Sequence, residues 1–133
     1  MVLTSKHFYE KAKKIIDQLK KDGHKVTRPN SFNDAMKEER LKKLSKKEHI
    51  EWKQKMMRLH EPKIKKQDAV LVLNLEKNKI PNYIGGATFM EIIKSWELKK
   101  KIFLFNPIPK CSFTDEITAM KPIIINRDLS KIK

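Results

Sequence analysis

Glu91 follows the glycine pair Gly85-Gly86 by five residues, in the run Tyr83-Ile84-Gly85-Gly86-Ala87-Thr88-Phe89-Met90-Glu91 of this 133-residue chain. A glycine pair opening a helix leaves backbone amides uncovered, and those amides, with the positive end of the helix dipole, suit an anion. Thr88 adds a hydroxyl to the same turn. A carboxylate one turn further on has two uses. Facing a crevice, it is a nucleophile or proton carrier; facing water, it is an acid that favours the helix N-terminus. On a wheel of about 100° per residue, Glu91 lies away from the apolar stripe of Phe89, Ile93 and Trp96 and beside Thr88 and Ser95, where a solvated acid would sit.

Other candidates sort by their place relative to the expected elements. Asn74 and Asn106 each close an apolar run, and there an asparagine either bonds a ligand or forms a turn. His60 belongs to a helix running back from the same edge, and its ring titrates near neutral pH; it serves either the crevice or the packing. Asp68 precedes its strand and falls at the opposite, amino edge, a structural position. Cys111 has no base partner, no cysteine or histidine pair has metal-ligand spacing, and no P-loop or dinucleotide fingerprint occurs. No metal or organic cofactor is implied.

The elements that would position these groups follow from hydrophobic periodicity. Phe8, Ala12, Ile15, Ile16 and Leu19 form the stripe of an amphipathic helix over residues 7–22, and Gly23 ends it. Met1 to Thr4 and His24 to Arg28 read as strands. Residues 32–67 are helical, divided by a capping box at Ser45 and Glu48, with Pro62 expected to kink or end the second helix. Ala69–Leu73 and Ile102–Phe105 are continuous apolar runs, the mark of strands covered on both faces. A helix over residues 86–98 joins them. A short helix from Thr114 and a strand at Ile123–Ile125 complete the chain. Strands alternating with helices predict one domain, residues 1–133, built as a three-layer α/β/α sandwich. Its expected sheet is parallel and five-stranded in the flavodoxin-like order 2-1-3-4-5, with the binding crevice between the first strand and the strand at 69–73.

The bulk composition narrows the class. Lys and Arg number 31 against 16 Asp and Glu, a net charge of +15. Most of the cations are lysines and aromatics are few, so a solvated basic surface is favoured over nucleic-acid binding. A single cysteine fits a reducing compartment. No apolar run nears the roughly 18 residues that span a bilayer, and no signal-peptide pattern opens the chain. The expectation is a cytoplasmic protein without a membrane partner.

The segment DAVLVLNLEKNKIPNYIGGATFMEIIKSWELKKKIFLFNPIP, with TSKHFYEKAKKIIDQLKKDGHKV before it and TDEITAMKPIIINRDLSKI after it, resembles the nucleoside deoxyribosyltransferase-like superfamily. Within that superfamily it looks like an uncharacterised microbial branch. The resemblance implies an enzyme that cleaves or transfers the N-glycosidic bond of a nucleoside or nucleoside 5′-monophosphate. It assigns Glu91 as nucleophile and Gly85, Gly86 and Thr88 as a sugar or anion cradle, and it lines the crevice with Ser5, His60, Asn74 and Asn106. It also implies a homodimer or higher oligomer. The chain departs from the pattern at Ile93 and Ser95, where small residues are usual, at His60 in place of an acid, at Gly85 in place of a polar residue, and before Ser5, where a glycine is usual. A nucleotide-binding protein that kept the crevice without catalysis is the alternative.

Overall fold

In the computed structural model, which describes residues 1–133, β1 (Val2–Leu3) leads through a turn of 3-10 helix to α1 (Tyr9–Lys21). Then come α2 (Lys37–Leu44), α3 (Lys46–Arg58), α4 (His60–Lys65), β2 (Ala69–Val72), α5 (Gly86–Glu97), β3 (Lys101–Leu104), α6 (Thr114–Ala119) and β4 (Ile123–Ile124). The four strands are parallel and lie in sequential order, β1-β2-β3-β4.

Alternation along the strands divides the core. Val70, Val72, Ile102 and Leu104 face one side with Leu3, Ile64 of α4, Ile92 of α5 and Ile117 of α6. Leu71, Leu73, Phe103 and Phe105 face the other with Val2, Phe8 of the 3-10 turn and the α1 stripe of Ala12, Ile16 and Leu19. Side chains of successive strand residues point to opposite faces, so a strand covered on both faces is apolar at consecutive positions, as β2 is throughout and β3 is from Ile102 onward, after the exposed Lys101 at its start. The helices preceding β2, β3 and β4 share one face, as right-handed crossovers between consecutive neighbours require.

The five-stranded sheet in flavodoxin-like order is not what forms. His24–Arg28, expected as the second strand, runs beside β1 but makes no ladder with it; a single backbone bond, Val2 N–H to Thr27 C=O at 3.0 Å, joins the two. β1 is two residues long, and Pro29 follows Arg28 without an amide to donate. Too little paired backbone remains there to register a fifth strand.

Several local expectations have direct counterparts. Gly23 ends α1 at φ 93°, a left-handed conformation suited to glycine. Ser45 caps α3 by accepting the Glu48 amide at 3.3 Å. The chain breaks at Leu59, and Pro62 sits in the first turn of α4, where its missing amide is not needed. Ser45→Ala is expected to weaken the start of α3 by about 1 kcal/mol, read as faster hydrogen exchange at its first-turn amides with the sheet unchanged.

Candidate functional site

A cavity of about 270 Å³ opens at the carboxyl end of β1 and beside the start of α5. Thr4, Ser5 and Lys6 reach it from the turn after β1, Gly85, Gly86, Thr88 and Glu91 from α5 and its approach, and His60 from the first residue of α4. Six of the eight residues predicted for the site therefore share one cavity: Ser5, His60, Gly85, Gly86, Thr88 and Glu91.

Asn74 and Asn106 do not line it. They clamp β2 to β3: the Asn74 amide nitrogen donates to the carbonyls of Asn106 at 3.0 Å and Pro107 at 2.9 Å. In return, the Asn106 backbone amide donates to Asn74 Oδ1 at 2.9 Å and its side-chain amide to the Asn74 carbonyl at 3.0 Å. Arg127 Nε donates to Asn106 Oδ1 at 3.1 Å. With these groups engaged within the protein, the two asparagines hold the strand ends in register.

Glu91 is 9% exposed, contrary to the solvated position given by the wheel. The buried face of α5 is Thr88, Glu91, Ile92 and Ser95, spaced 3, 1 and 3, rotated from the expected stripe. Trp96 is 54% exposed, and neither it nor Ile93 lines the cavity. Ser95 lies inward because its hydroxyl donates to the Glu91 carbonyl at 2.7 Å, which satisfies the buried oxygen within the helix. Phe89 turns aside to stack on Phe113, ring centroids 4.1 Å apart.

Burial pushes the Glu91 carboxyl up to about 8, with Lys63 and Lys53 pulling the other way. Desolvation disfavours the charged form of an acid, and here it outweighs two cations. The His60 ring is held below its ordinary value by burial and then by Lys53, Lys63 and Lys94. At neutral pH both groups are thus mainly uncharged, an arrangement that concentrates at functional sites.

The structure adds residues that sequence reasoning passed over. The Tyr9 phenol is pushed up to about 12 by burial, then by Glu91 and Glu38, and its hydroxyl donates to the Asn30 carbonyl at 2.7 Å. Lys63 donates to the Asn30 side chain. Glu38, Trp52, Lys53, Met56 and Met57 form the outer wall. Trp52 and Glu38 belong to helices whose own patterns show only a weakly amphipathic, charged surface, so no local signal marked them.

Gly85 and Gly86 differ in what they require. A methyl group at Gly85 would sit 3.2 Å from the Tyr83 hydroxyl, whereas at Gly86 nothing lies within 4 Å. A side chain at Gly85 would thus press on the Tyr83 ring, whereas one at Gly86 would meet open space. No side chain caps α5, leaving its first amides free toward the cavity for a polar or anionic group.

No family model matches this chain, and no curated protein or solved structure matches it either. No helix is long and apolar enough to cross a membrane, and no cluster of three His, Cys, Asp or Glu side chains is placed to hold a metal. What the site can do follows from its own residues: a mostly buried carboxyl, a neutral histidine, a helix start and the Tyr9, Trp52 and Tyr83 rings.

Proposed function

We propose that the protein is an N-glycosidase or deoxyribosyltransferase-like enzyme acting on a nucleoside or nucleoside 5′-monophosphate, with Glu91 as nucleophile. The observation that carries this reading is the burial of Glu91 in the same cavity as Ser5, His60, Gly85, Gly86 and Thr88. The resemblance of the YIGGATFMEI segment to the nucleoside deoxyribosyltransferase-like superfamily supports it. In its ionised form the carboxylate attacks the anomeric carbon as the bond to the base breaks. The base leaves with the bonding electron pair and takes up a proton, and a glycosyl ester to Glu91 remains. Water or a second base then attacks the same carbon, returning the carboxylate. The free amides of α5 and the Thr88 hydroxyl hold the sugar or its phosphate, and the Tyr9, Trp52 and Tyr83 rings that line the cavity offer surfaces to the base.

The test is release of free base from a panel of ribo- and deoxyribonucleosides and their monophosphates, followed by chromatography. At least one substrate should yield base, and Glu91→Ala should lower the rate by roughly a thousandfold, within the usual range for loss of a catalytic carboxylate. If no substrate releases base above the Glu91→Ala level, catalysis at this site is ruled out. Saturable nucleotide binding without turnover would then establish the second reading, a binding protein. That reading draws on the protonated state of the Glu91 carboxyl at neutral pH.

A further inference from the structure

The outer wall of the cavity is attached differently from the rest of the protein. Neither α2 nor α3 has a buried residue, and neither contributes to the two hydrophobic cores. They pack chiefly on each other, yet Glu38, Trp52, Lys53, Met56 and Met57 close the cavity above Glu91. Elements with few buried apolar contacts lie at the low end of local stability.

Two further features point the same way. The side-chain atoms His49 Nε2 and Trp52 Nε1 are buried without a hydrogen-bond partner, both on α3, with the two rings stacked 6.5 Å apart. Buried polar atoms are normally paired, so the closed position holds two groups away from water that water would satisfy on opening. The cavity, at about 270 Å³, is also slightly smaller than the ~300–1,000 Å³ typical of small-molecule sites.

Contacts around Glu38 identify the latch. Lys42 at 3.4 Å, His49 at 3.8 Å and Lys53 at 3.1 Å belong to the hairpin and travel with it. Lys6 belongs to the body, in the turn after β1, and it pairs with Glu39 and lies 3.8 Å from Glu38. We infer that the α2–α3 hairpin is a lid that swings as a unit about the turn at Ser31–Met36 and about Leu59 to admit a ligand over Glu91, latched shut by Lys6. Ser31 stands at φ 58°, and Leu59 separates α3 from α4, so the helical ladder is interrupted at both ends of the moving unit. The inference requires only that the cavity take a ligand, and it holds whether or not base is released.

The Trp52 indole N–H reports opening directly, because burial alone shields it from solvent. Trp96→Phe removes the other of the two tryptophans, and exchange of the remaining indole proton is followed by NMR beside the backbone amides. The indole proton should exchange roughly a hundredfold or more faster than the amides of β2 and β3. Adding Lys6→Met, or Glu39→Gln as an independent variant, should raise its rate about two- to fivefold, the range of a partly exposed ion pair. The amides of the sheet and of central α3 should be unchanged. Indole exchange no faster than that of the sheet, or indifferent to both variants, would overturn the lid. So would equal acceleration of the α3 amides, which would mean melting of the hairpin rather than a swing.

Discussion

Glu91→Gln is expected to make the protein more stable, by about 3 kcal/mol at pH 7, and to raise its melting temperature by roughly 10 °C. The carboxyl titrates near 8 in the folded protein and near 4.5 as an unperturbed glutamate. Between those values the folded state holds a proton that the unfolded state has released. Stability contributed by the protonated group is complete below pH 4.5, declines as pH rises, and is gone above about 8. Glutamine has the shape of the protonated acid and never ionises in the unfolded chain, so it removes the decline. The gain is about 1.4 kcal/mol for each pH unit between 4.5 and the working pH. Urea titrations of both proteins at pH 4.5, 6, 7 and 8 should diverge progressively from a common value. Parallel curves would show that Glu91 is solvated when folded. A substitution that strengthens the fold while removing the reactive group has the sign expected where burial is tolerated for function.

How far such a site can be read in advance depends on which force decides each position. β2 and β3 are visible as continuous apolar runs because both faces of the sheet are covered. The capping box at Ser45 and the stop at Gly23 are visible because one residue's own geometry decides them. The rotation of α5 is not visible. Apolar periodicity turns Trp96 inward, whereas the structure leaves Trp96 exposed and buries Glu91 and Ser95. Ser95 is satisfied by a carbonyl of its own helix and Glu91 gives up its charge, and hydrophobicity alone cannot weigh either event. The missing strand at His24–Arg28 fails for a different reason: an alternating pattern identifies a segment able to pair, but pairing also needs a neighbour long enough to receive it. Asn74 and Asn106 are correctly placed at strand ends, yet only their mutual hydrogen bonds distinguish a clamp from a ligand site. Glu38 and Trp52 share the cavity with Glu91 because the hairpin folds back over it, an arrangement set by tertiary structure alone.

If Glu91 is the nucleophile, the rate of base release should rise with pH, by about fiftyfold between pH 6 and pH 8, because only the ionised carboxylate attacks. The rise should flatten above about 8, and it should be read in kcat/KM, which reports ionisation of the free enzyme. A general acid at this position gives the opposite sign, with activity falling over the same interval, and that result would remove the nucleophile role while leaving the site intact. His60 is held below its ordinary value, so it is already neutral through most of this range and adds no second limb there. The lid supplies an independent check on the cause. Lys6 is not among the groups that shift Glu91, which are Lys63 and Lys53 after burial itself. Lys6→Met should therefore move the limb only through the hairpin, toward lower pH, as a looser wall admits water to the carboxyl and eases its ionisation. A limb that stays in place while the Trp52 indole exchange quickens would separate the hairpin from the burial of Glu91 and assign that burial to the body of α5 and α4.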